Sequence, residues 1–118
     1  MALWFLRGLR RGVVTTRYPR GEPDPWTRDL PTPPVFDASL LDTEVADALV
    51  AACPTAALRR NEHILIYDVG ACTACGRCLA AAPDAVRPSG AFELTATTRE
   101  QLIKLVPLRK SPRREGLS

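Results

Sequence analysis

The 118-residue sequence lacks several features that would point to common functions. No apolar run approaches the roughly 20 residues that span a bilayer, which argues against a membrane-spanning helix. There is one histidine and no evident acid–base pair, so the chain is not expected to be an enzyme by itself, and no catalytic residue is predicted. A net charge of +3 says little about partners. The short apolar run at the N-terminus precedes its charges, so it is not expected to be a secretory signal.

Cysteine is also scarce, but its spacing is informative. Three of the four cysteines form Cys72-x-x-Cys75-x-x-Cys78, and the fourth is followed by proline in Cys53-Pro54. The run C-x2-C-x2-C-x3-C-P is typical of iron-sulfur sites, and its last cysteine binds the other cluster in two-cluster proteins. Cys53 is therefore expected to complete the ligand set of Cys72, Cys75 and Cys78. We predict that these four thiolates bind the iron of one [4Fe-4S] cluster.

A second cluster would need four further cysteines, and all four are missing. Counting back from Cys53 gives Thr43, Ala46 and Leu49, and counting forward from Cys78 gives Ala82. Because the missing residues are the complete ligand set of one cluster, we predict that one site was lost as a unit. Apolar residues are expected to fill its space, namely Leu49, Leu79, Ala81 and Ala82.

Two other uses of the cysteines remain alternatives. A zinc site of four cysteines usually consists of two separated C-x2-C pairs, whereas here three cysteines share one run. Disulfides fit less well, since three thiols so close together cannot all be paired locally and no secretory context is evident. The spacing favours an iron-sulfur cluster.

The chain divides into four predicted parts. Residues 1–17 contain an amphipathic basic helix over residues 2–14, which suits a membrane surface or an acidic groove. Residues 18–34 form a proline-rich extended connector, and residues 107–118 a basic flexible tail. Residues 35–106 form an α+β domain that would need its cluster to be stable, because so small a module buries little apolar surface.

Within that domain the sequence predicts loop, helix and hairpin twice over. A helix begins at Asp42, and a hairpin pairs residues 55–58 with 64–67. A matching hairpin pairs residues 85–87 with 92–96, and a last short helix covers residues 98–105. His63, at the edge of the first hairpin, is expected to be exposed and not a ligand.

The cysteine pattern resembles that of bacterial-type [4Fe-4S] ferredoxins. The flanks are similar to one branch, the iron-sulfur subunit shared by complex I and the membrane-bound group 4 [NiFe]-hydrogenases, including formate hydrogenlyase. Residues 6–19, 53–58, 92–94 and 98–103 carry this resemblance, which covers most of residues 3–105. It implies a two-cluster-type ferredoxin fold with a pseudo-twofold repeat, from which this chain departs by lacking one cluster.

The resemblance also implies a function. The chain would be an electron-relay subunit in a hydrogenase or complex I-like assembly, docked with small and large catalytic subunits and a membrane arm. It would lie in the cytoplasm, peripheral on the inner face of the cell membrane. A free soluble single-cluster ferredoxin is the alternative, although such a carrier needs neither the basic helix nor the connector. A nucleic-acid-binding iron-sulfur regulator is a third, disfavoured because no helix-turn-helix or aromatic stacking platform is evident.

Overall fold

The computed structural model describes residues 3–12 and 17–110. Over these residues the chain is a small mixed α/β protein with three α-helices and two small antiparallel sheets. The helices are α1 (Leu3–Arg11), α2 (Thr43–Ala52) and α3 (Arg77–Ala81). The strands are β1 (Pro34–Phe36), β2 (Leu58–Arg60), β3 (Ile64–Asp68), β4 (Val86–Pro88) and β5 (Ile103–Pro107).

The sheets join two successive strand–helix–strand units. The first unit is β1-α2-β2 and the second is β3-α3-β4. The inner strands pair as the hairpin β2-β3, while the outer strands pair as β1-β4, with Val35 opposite Arg87. The two units are therefore held together at both ends. Each unit is a strand, a helix and a strand, whereas the sequence predicted a loop, a helix and a hairpin in each.

The predicted second hairpin is wrong. Strand β4 pairs with β1, and residues 92–96 form no strand. The backbone extends this pairing on both sides, since the Asp37 N–H donates to Ala85 O (2.9 Å) and the Ser89 N–H to Pro33 O (3.0 Å). The end of the connector thus belongs to the folded domain. Strand β1 forms the backbone hydrogen bonds with β4 that residues 92–96 were predicted to form.

Helix α2 forms where its sequence signals predict. The Asp42 carboxylate accepts a hydrogen bond from the Val45 N–H (2.8 Å), which caps the first turn. The helix ends at Cys53, whose backbone is extended, as the following proline requires. The capped start and the proline stop together fix where Cys53 leaves the helix.

Of the four positions where a second cluster would need cysteines, three contribute side chains to the core. Ala46 and Leu49, at two of the four missing cysteine positions, are completely buried, and Ala82 packs against the same core. Leu79 also packs there, as predicted, but Ala81 is exposed and does not contribute. The core comprises Leu41, Ala46, Leu49, Ala57, Leu58, Leu65, Tyr67, Ala85 and Val86.

The predicted helix over residues 98–105 is also wrong beyond its first turn. A 3₁₀ turn covers Arg99–Leu102, and the chain then forms β5 along the free edge of β3. Backbone pairing continues past the strand, because the Leu108 N–H donates to His63 O (2.8 Å) and the Arg109 N–H to Leu41 O (2.8 Å). The edge of β3 offers this segment a full set of hydrogen bonds, which outweighs its local helical pattern. The rest of the predicted tail, residues 111–118, lies outside the described residues.

The buried carboxylate of Asp68 fixes this C-terminal segment to the domain. It forms an ion pair with Arg99 and accepts a hydrogen bond from the Gly70 N–H (2.9 Å). Only 7% of the Asp68 side chain is exposed, so the carboxylate has little contact with water. An added methyl group at Gly70 would collide with the Arg99 guanidinium, which shows how closely the segments pack.

Arg99→Ala is expected to lower the free energy of unfolding by about 1–3 kcal/mol, because it leaves a buried carboxylate with one donor. Arg60→Ala is the matched control, since its ion pair with Asp47 is largely exposed and should contribute less than about 1 kcal/mol. Urea unfolding of the two variants would measure both effects. Equal losses would contradict this role for the Asp68–Arg99 pair.

The N-terminal segments are exposed. Helix α1 lies within the predicted residues 2–14, and none of its side chains is buried; residues 13–16 are outside the described part. The connector contains a 3₁₀ turn, Pro25–Asp29, with Trp26 exposed. Among the described residues, no helix has the length and apolar character to cross a membrane.

Candidate metal centre

The four cysteines lie on two segments, one between α2 and β2 and the other running from the end of β3 into α3. Cys53 directly follows α2, while Cys72, Cys75 and Cys78 lie in the segment from the end of a 3₁₀ turn into α3. This segment follows β3, the central strand of the three-stranded sheet. The sheet and the two helices therefore position both cysteine loops relative to one another.

All four cysteines line one pocket. It contains about 390 Å³ of space between atoms, including the part open to solvent, and its wall also includes Leu58, Tyr67 and Leu79. The four thiols are free. Across residues 3–12 and 17–110, no three His, Cys, Asp or Glu side chains surround a position for a single metal ion. The four predicted ligands thus line a common space, but they do not converge on a single point.

The loop after Cys53 presents several donors to its sulfur. Burial raises the pKa of the Cys53 thiol, but hydrogen bonds from the Thr55 backbone and hydroxyl, and from the Leu58 and Ala57 backbone, outweigh burial and lower it. The Thr55 Oγ1 lies 3.7 Å from the sulfur. Ala56 has a positive φ of 54°, which is uncommon for a residue with a side chain. The strained turn folds the following amides back towards Cys53, where they favour its thiolate.

The other loop has a similar arrangement. The Ala74 N–H donates to the Cys72 sulfur (3.4 Å), and Ala74 also has a positive φ, of 53°. Gly76 has a φ of 78°, a left-handed conformation that glycine adopts at little cost. Backbone strain of this kind is often found at functional sites, because it holds backbone and side-chain groups in orientations that a relaxed loop would not adopt.

Cys78 differs from Cys53. Burial raises the pKa of its thiol, and negative charge on Cys72 and Cys75 raises it further, although the Leu79 amide acts in the opposite sense. Thiolates gathered around one space repel one another, so a bound cation would favour the deprotonated set. The pocket therefore suits a positively charged metal centre.

Tyr67 is a site residue that the sequence did not reveal. It lies on β3, is 3% exposed, and lines the same pocket as the cysteines. In the described part of the chain its hydroxyl is the only buried side-chain oxygen or nitrogen without a hydrogen-bond partner. An unpaired buried hydroxyl costs about 1–3 kcal/mol, so an acceptor in this pocket would be stabilising.

Three of the four cysteines act on the Tyr67 hydroxyl. Burial raises the pKa of Tyr67 far above its ordinary value. The Cys72 sulfur, through hydrogen bonding and charge, and the charges of Cys78 and Cys53 raise this pKa further. The hydroxyl therefore stays protonated and is available only as a donor or as a neutral acceptor. Alternation along β3 could have revealed it, because Leu65 and Tyr67 share the buried face.

The remaining candidate residues lie outside the pocket. The side chain of His63 is 77% exposed, in the hairpin turn, as predicted. Arg77, between two of the cysteines, is also exposed. Neither residue lines the cysteine pocket, so the ligand set remains the four thiols.

Comparison of the sequence with models of known protein families and with curated proteins finds no match.

Proposed function

We propose that this chain is an electron-transfer subunit that holds one [4Fe-4S] cluster through Cys53, Cys72, Cys75 and Cys78. The observation that carries the proposal is the pocket that all four cysteines of the chain line. These cysteines come from both strand–helix–strand units, in the order that the motif requires. A pocket lined by four free thiols and by no charged side chain of the described residues suits a metal cluster better than an organic substrate.

The residues around the pocket fit such a group. When bound, a [4Fe-4S] cluster takes up and releases one electron at a time. The amides of Ala57, Leu58 and Ala74 would donate hydrogen bonds to the thiolates, and these contacts stabilise negative charge. The unpaired Tyr67 hydroxyl is a further donor without an acceptor. The core beneath Leu58 and Leu79 would limit the access of water.

Zinc is the main chemical alternative, because a four-cysteine set also binds zinc. A zinc site needs its sulfurs about 2.3 Å from one ion, whereas a cubane takes each thiolate at a different corner. The run of three cysteines with one distant partner favours the cluster. Metal analysis separates the two directly.

We also propose that the domain has the bacterial two-cluster ferredoxin fold with one site lost. The proposal is supported by the two strand–helix–strand units, with outer strands paired and inner strands paired. It is further supported by the buried Ala46 and Leu49 at positions where a second cluster would need cysteines. The single cluster would then receive and deliver electrons through centres in partner chains.

The exposed N-terminal segments support a role within a larger assembly. Helix α1 presents Phe5, Leu6 and Leu9 without covering them, and Trp26 of the connector is exposed too. Uncovered apolar side chains of this size are typical of docking surfaces. We propose partners of the hydrogenase or complex I-like kind, at the inner face of the cell membrane, and no nucleic acid.

Anaerobic purification of the tagged protein from its own host tests both parts of the proposal. About four irons and four sulfides per chain, with co-purifying hydrogenase-like or complex I-like subunits, are expected. About eight irons would contradict the single site, and zinc in place of iron would contradict the electron-transfer function. Four irons in a soluble monomer without partners would favour the free ferredoxin instead.

A further inference from the structure

The pocket contains one polar group that the ligand set does not use, the hydroxyl of Tyr67. Its position is fixed by the fold. Tyr67 lies on the central strand β3, paired with Leu58 of β2 on one side and Lys104 of β5 on the other. The Phe36 ring packs edge-on against its ring, with 5.1 Å between the centroids. The ring therefore has little freedom to turn its hydroxyl elsewhere.

The hydroxyl lies among the cysteines. Among the cysteines, Cys72 raises the pKa of this hydroxyl most, ahead of Cys78 and Cys53. The Cys72 sulfur is near enough to act on the hydroxyl, but no atom in residues 3–12 or 17–110 meets it in full hydrogen-bond geometry, and only 3% of the residue is exposed. A thiolate that binds metal keeps lone pairs that can accept hydrogen bonds, whereas a neutral thiol is a weak acceptor. Metal binding would thus create the acceptor that Tyr67 lacks.

We infer that Tyr67 donates a hydrogen bond to the Cys72 thiolate and thereby raises the reduction potential of the bound centre. This inference rests on the proposed [4Fe-4S] site. Reduction adds one electron and makes the ligand sulfurs more negative, so a donor stabilises the reduced state more than the oxidised state. The proton stays on Tyr67 throughout, and only the strength of the hydrogen bond changes. Tyr67 is a tuning residue and not a ligand.

Tyr67→Phe removes the donor and keeps the ring. The variant is expected to retain its iron, while the equilibrium constant for one-electron reduction falls about tenfold, a downward shift of about 59 mV. Tyr18→Phe is the matched control, since Tyr18 is the only other tyrosine and packs against Phe92, away from the pocket. Its potential should equal that of the unaltered protein.

A second measurement covers the case in which Tyr67→Phe loses its iron. In the Tyr18→Phe background Tyr67 is the single tyrosine, so ring-fluorinated tyrosine labels it alone. Fluorination makes the hydroxyl a stronger donor with almost no change in shape, and it should move the potential upwards. A purely structural role of Tyr67 would leave the potential unmoved.

The test is potentiometric titration of the full-length protein in these forms, with iron and sulfide counted in each. A lower potential in Tyr67→Phe with full iron, or a higher one on fluorination, supports the inference. Full iron with no shift in either form overturns it and leaves the proposed cluster intact. Absence of iron from the unaltered protein would overturn the inference together with the proposed function.

Discussion

Cys53→Ala is expected to abolish the proposed [4Fe-4S] centre. Cys53 is the one thiol that the first strand–helix–strand unit contributes, and the remaining three cysteines share a single loop. Loss of a residue that only supports a metal ligand typically lowers metal affinity by 10–100-fold. Loss of the ligand itself should therefore lower cluster affinity by more than about 100-fold. Iron and sulfide content and the visible spectrum after anaerobic purification would measure the effect.

The free energy of unfolding of Cys53→Ala should fall when the variant loses its iron. Because the binding energy of a structural metal contributes to folding, a chain without its cluster should unfold at a lower denaturant concentration. The loss should be largest around the pocket, where Leu58 and Tyr67 belong to both the core and the wall. Hydrogen exchange of β2 and β3 would report it locally.

His63→Ala is the control for this prediction. His63 is the only histidine of the chain and thus the one alternative imidazole ligand, yet its side chain is 77% exposed. The variant should keep its full iron content and its stability. Normal iron in Cys53→Ala would refute the proposed ligand set, and loss of metal in His63→Ala would point to a different one.

The parts of the fold that the sequence predicted are those with local signals. Helix α2 has an aspartate cap at its start and a proline after its end, and both act within a few residues. The burial of Ala46 and Leu49 could be anticipated because they occupy positions that a motif count identifies. The four cysteines could be placed together because their spacing is itself a ligand pattern.

The errors concern pairing over long distances. Residues 92–96 have the alternation of a strand, but β4 pairs with β1, about 50 residues away, through segments only three residues long. Segment 98–105 has a helical pattern, but it forms only a 3₁₀ turn over Arg99–Leu102, and from Ile103 onward the chain pairs with the free edge of β3 as β5. The structure that each segment adopts depends on which strand edge is still unpaired. That is a property of the assembled sheet and not of the local sequence.

Tyr67 shows the same limit at the scale of the site. The first hairpin was predicted over residues 64–67 without stating which face packs on the core, and in the structure Leu65 and Tyr67 are more buried than Ile64 and Ile66. A shift of one residue in a strand exchanges its two faces, so the sequence did not place the hydroxyl beside the cysteines. Only the register of β3 against β2 and β5 does so.

The exposed apolar face of α1, which we propose as a docking surface, leads to the second large effect. Phe5, Leu6 and Leu9 share one face of the helix, while Arg7 and the arginines of the last turn lie on the other. The arginines at the C-terminal end also complement the helix dipole, so they stabilise the helix as well as charging it. An apolar face beside positive charge suits an anionic membrane surface or an acidic groove of a partner.

Leu6→Ser combined with Leu9→Ser is expected to weaken this docking by on the order of a hundredfold or more. Burial of each large apolar side chain contributes about 1.5–3 kcal/mol, and two such losses multiply in the binding constant. The measurement is the fraction of the protein that sediments with native membranes, alongside the yield of co-purifying subunits. Iron per chain should not change, because α1 buries none of its side chains.

Leu3→Ser provides the matched control, since Leu3 is similarly exposed but lies beside the arginines. It removes the same chemical group from the same helix and should leave docking nearly unchanged. Binding of the double variant to anionic vesicles then identifies the occupant. Loss of vesicle binding indicates a membrane surface, whereas retained vesicle binding with lost subunits indicates a protein groove. Normal sedimentation and normal subunit yield in the double variant would show that α1 does not dock through this face.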